Sequence, residues 1–557
     1  MDVLFVIPRY SDKTKPYYDY AFPISLAYIS ASLKEAGHNV DCLNTNHLEG
    51  KTKDLVKNAL DKKRYDVLCT GHTGIGCAVT QEIINVTREH QTSPKVILGG
   101  HIVTHETKLM FEEIDPDFAV VGEGEDAVLE LLDYIKKYGP QKNDKVLENI
   151  RGICYRGKDG SIKITLKRDP IKDIDALPQP DFEGFGFEEK INHMHPTANY
   201  STNSFDHPKA YPLVTARSCP YPCTFCYYSV VKGKYTVRSL DNVFNELRTN
   251  IKKYKINVIE IYDDLFAVDN KRLKEFCERM IELKKEIPWD VKWTCQIRVK
   301  AVDRETLELM KKAGCDVISY GFESYSEKIL DSMKKFNKPE DIDRTFKETM
   351  RVQIGIQGNF IFGDLAETPE TAKETLDYWI KESKGQINLF LVQPYPGSAI
   401  YESCVKKGII KDRLDFIKNQ IKYFDINMTD SMSDEEFDKL KKDLVKYQEK
   451  GYKFVIPSMK KSGEDEYDLT VKCPFCEEQI TYGNCLIENK NNFRFPLLCR
   501  NCKMKFWARS WYKALGYKFY NVARPLYHTY SKLKKSFSQV DVETPTLKKQ
   551  RESISKI

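Results

Sequence analysis

Arg217-Ser-Cys-Pro-Tyr-Pro-Cys-Thr-Phe-Cys-Tyr-Tyr228 decides how this chain is read. It carries Cys219, Cys223 and Cys226 in the spacing C-x3-C-x2-C, directly after the strand-like run Tyr211–Arg217. Two prolines and short gaps suit a tight loop on which three thiolates converge. Such a loop holds three corners of a cubane iron–sulfur cluster and leaves the fourth iron open. An open iron takes an outside ligand, so the loop is a catalytic candidate; the structural alternative is a zinc knuckle.

Downstream, apolar strand runs alternate with helical stretches. Strands are expected at Val258–Asp264, Asp290–Arg298, Val317–Glu323, Ile354–Gly363 and Ile387–Pro394, with helices between them. Together with Tyr211–Arg217 they make six β/α repeats over residues 205–410. That pattern predicts a partial (β/α)6 barrel with its chemistry at the carboxyl ends of the strands, where the cysteine loop falls.

The motif, with Phe225 just before its last cysteine, resembles that of the radical S-adenosylmethionine (SAM) enzymes. In that family the open iron chelates the methionine part of SAM, and reduction yields a 5′-deoxyadenosyl radical. The resemblance implies SAM contacts at the strand ends. Asp263 and Asp264 suit the methionine ammonium, Arg298 beside Gln296 the carboxylate, and Glu323 the ribose or amino group. Gln357, Asn359 and Gly363-Asp364 belong to the fifth strand, and Pro394–Ser398 closes the sixth. Asp364-Leu-Ala departs from the family's G-x-P-G-E-T loop by lacking its Pro and Gly. Taken singly, each of these polar residues also suits a cap or a sheet-edge hydrogen bond.

Residues 1–150 repeat the βα alternation five times and predict a doubly wound, five-stranded parallel sheet. Ligands of such sheets lie beyond the carboxyl ends of the strands. Those ends carry Thr70-Gly71-His72-Thr73, Gly99-Gly100-His101 and Gly122-Glu123-Gly124-Glu125. Glycine there lets backbone approach a large ligand. No G-x-G-x-x-G follows the first strand, which argues against a dinucleotide. The pattern is similar to the cobalamin-binding domain found upstream of many radical SAM proteins, the alternative being a flavodoxin-like scaffold. Thr45-Asn-His47 replaces the D-x-H of cobalt-ligating domains and follows the second strand, so His47 is read as a loop histidine. Residues 151–204 form a linker with a small hairpin at its start.

Beyond a helical stretch (411–465), Cys473-Pro-Phe-Cys476 and Cys499-Arg-Asn-Cys502 give C-x2-C…C-x2-C within 466–510. Four thiolates suit a zinc ribbon or a second iron–sulfur cluster. The tail, 511–557, interleaves aromatics with lysines. It suits packing on the barrel, or contact with a membrane surface or polyanion, and its last twenty residues read as disordered.

At 557 residues the chain holds three or four folded units, and its net charge of +6 does not by itself imply nucleic acid. Sixteen cysteines, close-set clusters and no secretory signal point to a reducing, cytoplasmic setting. No apolar run is long enough to span a bilayer. The resemblance, over residues 1–410, implies C- or P-methylation with a cluster, SAM, cobalamin and a reductant such as flavodoxin or ferredoxin. Radical rearrangement, cyclisation or oxidation would use the same parts. The rivals are a radical enzyme acting on tRNA or protein and a cobalamin sensor without turnover.

Overall fold

The computed structural model describes residues 1–9, 14–71, 76–139, 143–199, 201–227, 234–421, 423 and 426–515. His72, Thr73, Tyr228 and the tail beyond 515 lie outside them.

The first sheet is built from β1 (Asp2–Ile7), β2 (Asn39–Asn44), β3 (Val67–Gly71), β4 (Lys95–Gly99) and β5 (Phe118–Val120), all parallel. β1, β3 and β4 are near-continuous apolar runs because helices cover both faces. Leu131 and Leu132 pack on one face, Val56, Leu60 and Ile83 on the other. The order is β2-β1-β3-β4-β5, with the strand order reversing between β1 and β3. The linker hairpin, β6 (Ile153–Arg156) and β7 (Ile162–Ile164), does not stand apart. It pairs antiparallel with β5 and widens the expected five-stranded sheet to seven. Cys154 and Tyr155 of β6 are buried in the joined sheet.

The second sheet runs in sequence order: β8 (Ala210–Leu213), β11 (Val258–Ile261), β12 (Lys292–Ile297), β13 (Cys315–Glu323), β14 (Gly355–Phe362) and β15 (Asn388–Leu391). Every neighbouring pair is parallel, which is the expected six-stranded partial barrel. The run Tyr211–Arg217, expected as one strand, breaks after Leu213 and resumes as β9 (Ala216–Arg217), paired with β10 (Thr236–Val237). The break falls where Thr215 turns its amide to Asp263 instead of to a neighbouring strand.

The C-terminal element holds two three-stranded sheets. One joins β16 (Phe454–Val455), β20 (Arg494–Leu498) and β21 (Lys505–Arg509); the other joins β17 (Ser458–Lys461), β18 (Glu466–Lys472) and β19 (Gln479–Leu486). It seats against the amino ends of the barrel strands. Lys503 pairs with Asp316 at 2.6 Å, both nearly buried. Lys505 reaches the Gln386 carbonyl at 2.7 Å, and Leu498 closes on Gly355. The ribbon is therefore the floor of the barrel. Among the described residues, no helix is long and apolar enough to cross a membrane.

Candidate active site between the two sheets

The cysteine loop leaves β9 at Ser218, which sits at φ +69 with its hydroxyl buried and unpartnered. A serine in the left-handed region is strained backbone, retained where the surroundings dictate it. The loop is pinned at Thr224. Its amide donates to the Met333 carbonyl (3.1 Å), and its own carbonyl accepts from Ile400 (3.1 Å). Cys223 is buried; Cys219 and Cys226 are half-buried. Burial pushes the Cys219 thiol up. A thiol so placed needs a cationic partner to ionise, and bound iron is one.

The strand-end residues gather round the loop, in roles that differ from those expected. Arg298 stacks on the Tyr221 ring at 3.7 Å and donates to the Lys335 carbonyl. Glu323, at φ +64, pairs with Lys335 Nζ at 3.0 Å in a nearly buried ion pair, and Lys335 lies 5.9 Å from the Phe225 ring. Gln296 is exposed beside the Asp264 carbonyl, to which it donates at 3.3 Å. Asp264 is half-buried and accepts from the Tyr227 hydroxyl at 3.4 Å. Asp263 departs from expectation. It is buried, and Thr215 donates to its two oxygens through its amide (2.6 Å) and hydroxyl (2.5 Å). Burial raises Asp263 to about 7 against those hydrogen bonds. Its carboxyl shapes the β8–β9 corner and is turned away from the rim.

The edge of the first sheet meets this loop directly. Gly99 and Gly122 face open space, where an added Cβ would meet nothing within 4 Å. Gly100 and Gly122 take φ +113 and +95, closed to most side chains. Gly71 packs so close to the Gly99 carbonyl that a Cβ would stand 2.8 Å from its oxygen. These residues form a cradle of bare backbone that fits a large flat ligand such as cobalamin. Thr70 is not part of it, since its hydroxyl donates to the Val6 carbonyl at 3.0 Å. Glu123 is not either. Its carboxylate takes the Ile171 amide at 2.6 Å and Arg217 at 3.2 Å. Arg217 also holds Glu125 at 2.7 Å and lies over the Tyr28 ring at 5.0 Å. His101 meets the ring of Tyr227, the residue after Cys226, edge-on at 4.1 Å. The glycine edge and the cysteine loop are thus bolted together by a charge clamp and a ring contact. His47 has both ring nitrogens engaged, Nε2 with the Tyr20 hydroxyl (2.7 Å) and Nδ1 with Glu189 (3.2 Å), as suits a structural loop histidine.

A sequence model of the radical SAM superfamily matches residues 213–378, and one of the B12-binding domain matches residues 15–132. The chain thus carries a B12-binding domain followed by a radical SAM domain. An uncharacterised methyltransferase of Pyrococcus horikoshii is 26% identical over 394 residues, 70% of this chain and 79% of that protein. The anaerobic magnesium-protoporphyrin IX monomethyl ester cyclase of Rubrivivax gelatinosus is 27% identical over 426 residues, 74% of this chain and 71% of the cyclase. Among solved structures, the radical SAM methyltransferase TsrM from Kitasatospora setae, with cobalamin and a 4Fe–4S cluster bound, shares the fold. Its TM-score is 0.58 at 16% identity, covering 73% of this chain and 78% of that one. The radical SAM match spans the cysteine loop, and the B12-binding match spans the glycine edge, just described.

In the ribbon, Cys473, Cys476, Cys499 and Cys502 bring their sulfurs within 4.8 Å of one another, the only such ligand group among the described residues. Two opposed pairs stand 3.8 Å (Cys473–Cys502) and 3.7 Å (Cys476–Cys499) apart.

Proposed function

We propose that this radical SAM enzyme methylates its substrate at an unactivated carbon or phosphorus, consuming two molecules of SAM and two electrons per turnover. The observation that carries the reading is the Arg217 clamp. It binds the edge that would cradle cobalamin to the loop that would hold the cluster, and so fixes the distance between methyl source and radical source. When bound, the cluster with SAM supplies a 5′-deoxyadenosyl radical and cobalamin supplies the methyl group. The chain supplies placement. Cys219, Cys223 and Cys226 ligate three irons. Arg298, Asp264 and Glu323 line the SAM side, with Glu323 held by Lys335. Gly71, Gly99, Gly100 and Gly122 give way to the corrin. A low-potential reductant of the flavodoxin or ferredoxin kind delivers the electrons, in a reducing compartment.

The methyltransferase relative from Pyrococcus horikoshii supports methylation; the cyclase relative supports oxidative cyclisation as a second reading. Anaerobic incubation with SAM and dithionite separates them. 5′-Deoxyadenosine without S-adenosylhomocysteine favours cyclisation; both together favour methylation. No 5′-deoxyadenosine at all sinks the radical reading and favours a sensor. A ribbon seated under the barrel, instead of projecting from it, speaks against a grip on tRNA or protein.

At the ribbon we infer zinc. A tetrahedral ion with metal–sulfur bonds of about 2.3 Å sets its sulfurs about 3.8 Å apart, which the two thiol pairs match. A cubane, with its irons at separate corners, spreads its thiolates wider. One zinc per chain by elemental analysis, independent of iron loading, is the expected result.

A further inference from the structure

The ribbon reaches further than the floor. On β14 the side chains alternate: Ile356, Phe360 and Phe362 are buried against the helices, while Gln357, Asn359 and Ile361 remain partly exposed. On β15, Leu389 is buried and Asn388 and Phe390 face the other way. The partly exposed set therefore lines the barrel's inner wall. Its aromatic members are accessible: Phe390 is 51% exposed, and Tyr262, beyond the end of β11, is 38% exposed. By strand order they stand on opposite flanks of the lumen.

A chain of hydrogen bonds climbs this wall from the ribbon. Lys505 Nζ donates to Asn388 Oδ1 at 2.7 Å and to the Gln386 carbonyl at 2.7 Å. The protonated amine has only hydrogens to offer, so Asn388 turns its oxygen to the lysine. Asn388 Nδ2 then donates to Asn359 Oδ1 at 3.1 Å. That leaves Asn359 Nδ2 as a donor on the inner wall, with no partner among the described residues. An amide usually offers either end; here its polarity is fixed two residues away.

We propose that Asn359 is a substrate-binding residue, and that the Lys505–Asn388 pair makes it a dedicated donor. The lumen accordingly takes a substrate with a flat, apolar body and a carbonyl-type oxygen acceptor, the body resting between Tyr262 and Phe390 and the oxygen on Asn359 Nδ2. Gln357, one pleat below, completes the polar wall. Lys505 is a positioning residue. The inference rests on the proposed enzyme reading for what happens to that substrate, but not for its binding.

The test uses the full chain, loaded anaerobically with iron, sulfide, SAM and hydroxocobalamin. Acetophenone and ethylbenzene, alike in shape but not in acceptor, are titrated by saturation-transfer NMR. The wild type is expected to prefer acetophenone by roughly tenfold, the value of one neutral hydrogen bond. Asn359→Leu should abolish the preference and Asn359→Asp should invert it. Lys505→Met should shrink it to about twofold by freeing Asn388 to flip; a merely structural lysine would leave the ratio of the two probes unchanged. Equal affinity in the wild type, no binding of either probe, or a preference that survives Asn359→Leu overturns the proposal. 5′-Deoxyadenosine release is read on the same samples. Its absence sinks the enzyme reading and leaves the probe ratio standing, so the two failures are distinguishable.

Discussion

The chain folds two cysteine clusters to opposite ends of one barrel. At the carboxyl end, Cys219, Cys223 and Cys226 sit on a strained loop, one of them buried and two half-buried. At the amino end, four ribbon thiols close into a compact tetrahedron. Three thiols leave a coordination position for an outside ligand; four converging thiols leave none. The difference separates a site for chemistry from a site for architecture. The surroundings agree. The open loop is ringed by groups that have given up their freest geometry: Ser218 and Glu323 in the left-handed region, and a buried Glu323–Lys335 pair. The closed site is ringed by hairpins. There Cys476 falls to about 7, because burial, which raises it, is outweighed by the Glu478 backbone and the neighbouring thiols.

The sharpest way to break the comparison is to remove thiols from each end. Replacing Cys219, Cys223 or Cys226 with Ala should abolish 5′-deoxyadenosine formation, by more than a thousandfold, and leave the zinc content at one per chain. Survival of SAM cleavage in the triple variant overturns the assignment of the open site. Cys499→Ser with Cys502→Ser should do the reverse: zinc is lost, and the melting temperature falls by roughly 10 °C or more, since a structural zinc contributes folding free energy outright. Iron content should follow the fraction of chain that remains folded.

A smaller effect is expected at the clamp. Arg217→Met leaves Glu123 and the nearly buried Glu125 without their cation. Breaking such a pair costs about 2 kcal/mol at this degree of burial, measurable by urea unfolding. SAM cleavage should persist while the ratio of methylated product to 5′-deoxyadenosine falls several-fold. If both fall together, the clamp holds the fold but does not set the register between the two cofactors.

The least effect concerns the acid under the open site. Asp263 ionises at about 7 in the folded chain, above its unfolded value, because it is buried. Between the two values the folded state holds a proton that the unfolded state has lost, so stability declines as pH rises from about 4 to about 7 and is level above. Asp263→Asn should flatten that decline by roughly 1–3 kcal/mol, and should be the more stable form at pH 8 but not at pH 4. Parallel denaturation curves at the two pH values decide it.

Much of this was legible in the sequence. The six parallel strands of the barrel appeared within a few residues of their bounds, because each apolar run and each helix stripe is a local pattern. The roles of the polar strand-end residues were not. Asp263 and Asp264 are neighbours with the same chemistry, yet one is buried against Thr215 and the other is half-buried beside Tyr227; both lie in the turn beyond β11, where no strand alternation says which way a side chain goes. Thr70 and Glu123 were read as ligand contacts because they end strands, and both are spent on protein partners.

The sequence by itself determined the elements and the two metal motifs, since repeat period and cysteine spacing are fixed by local geometry. Tertiary structure alone decided that the linker hairpin extends the first sheet, that Arg217 joins the glycine edge to the cysteine loop, and that a ribbon lysine meets an amide of the barrel wall. Each of these joins residues far apart in the chain, Glu123 to Arg217 and Asn388 to Lys505. Such partners are chosen by the packing of whole layers, which burial drives and no local pattern records.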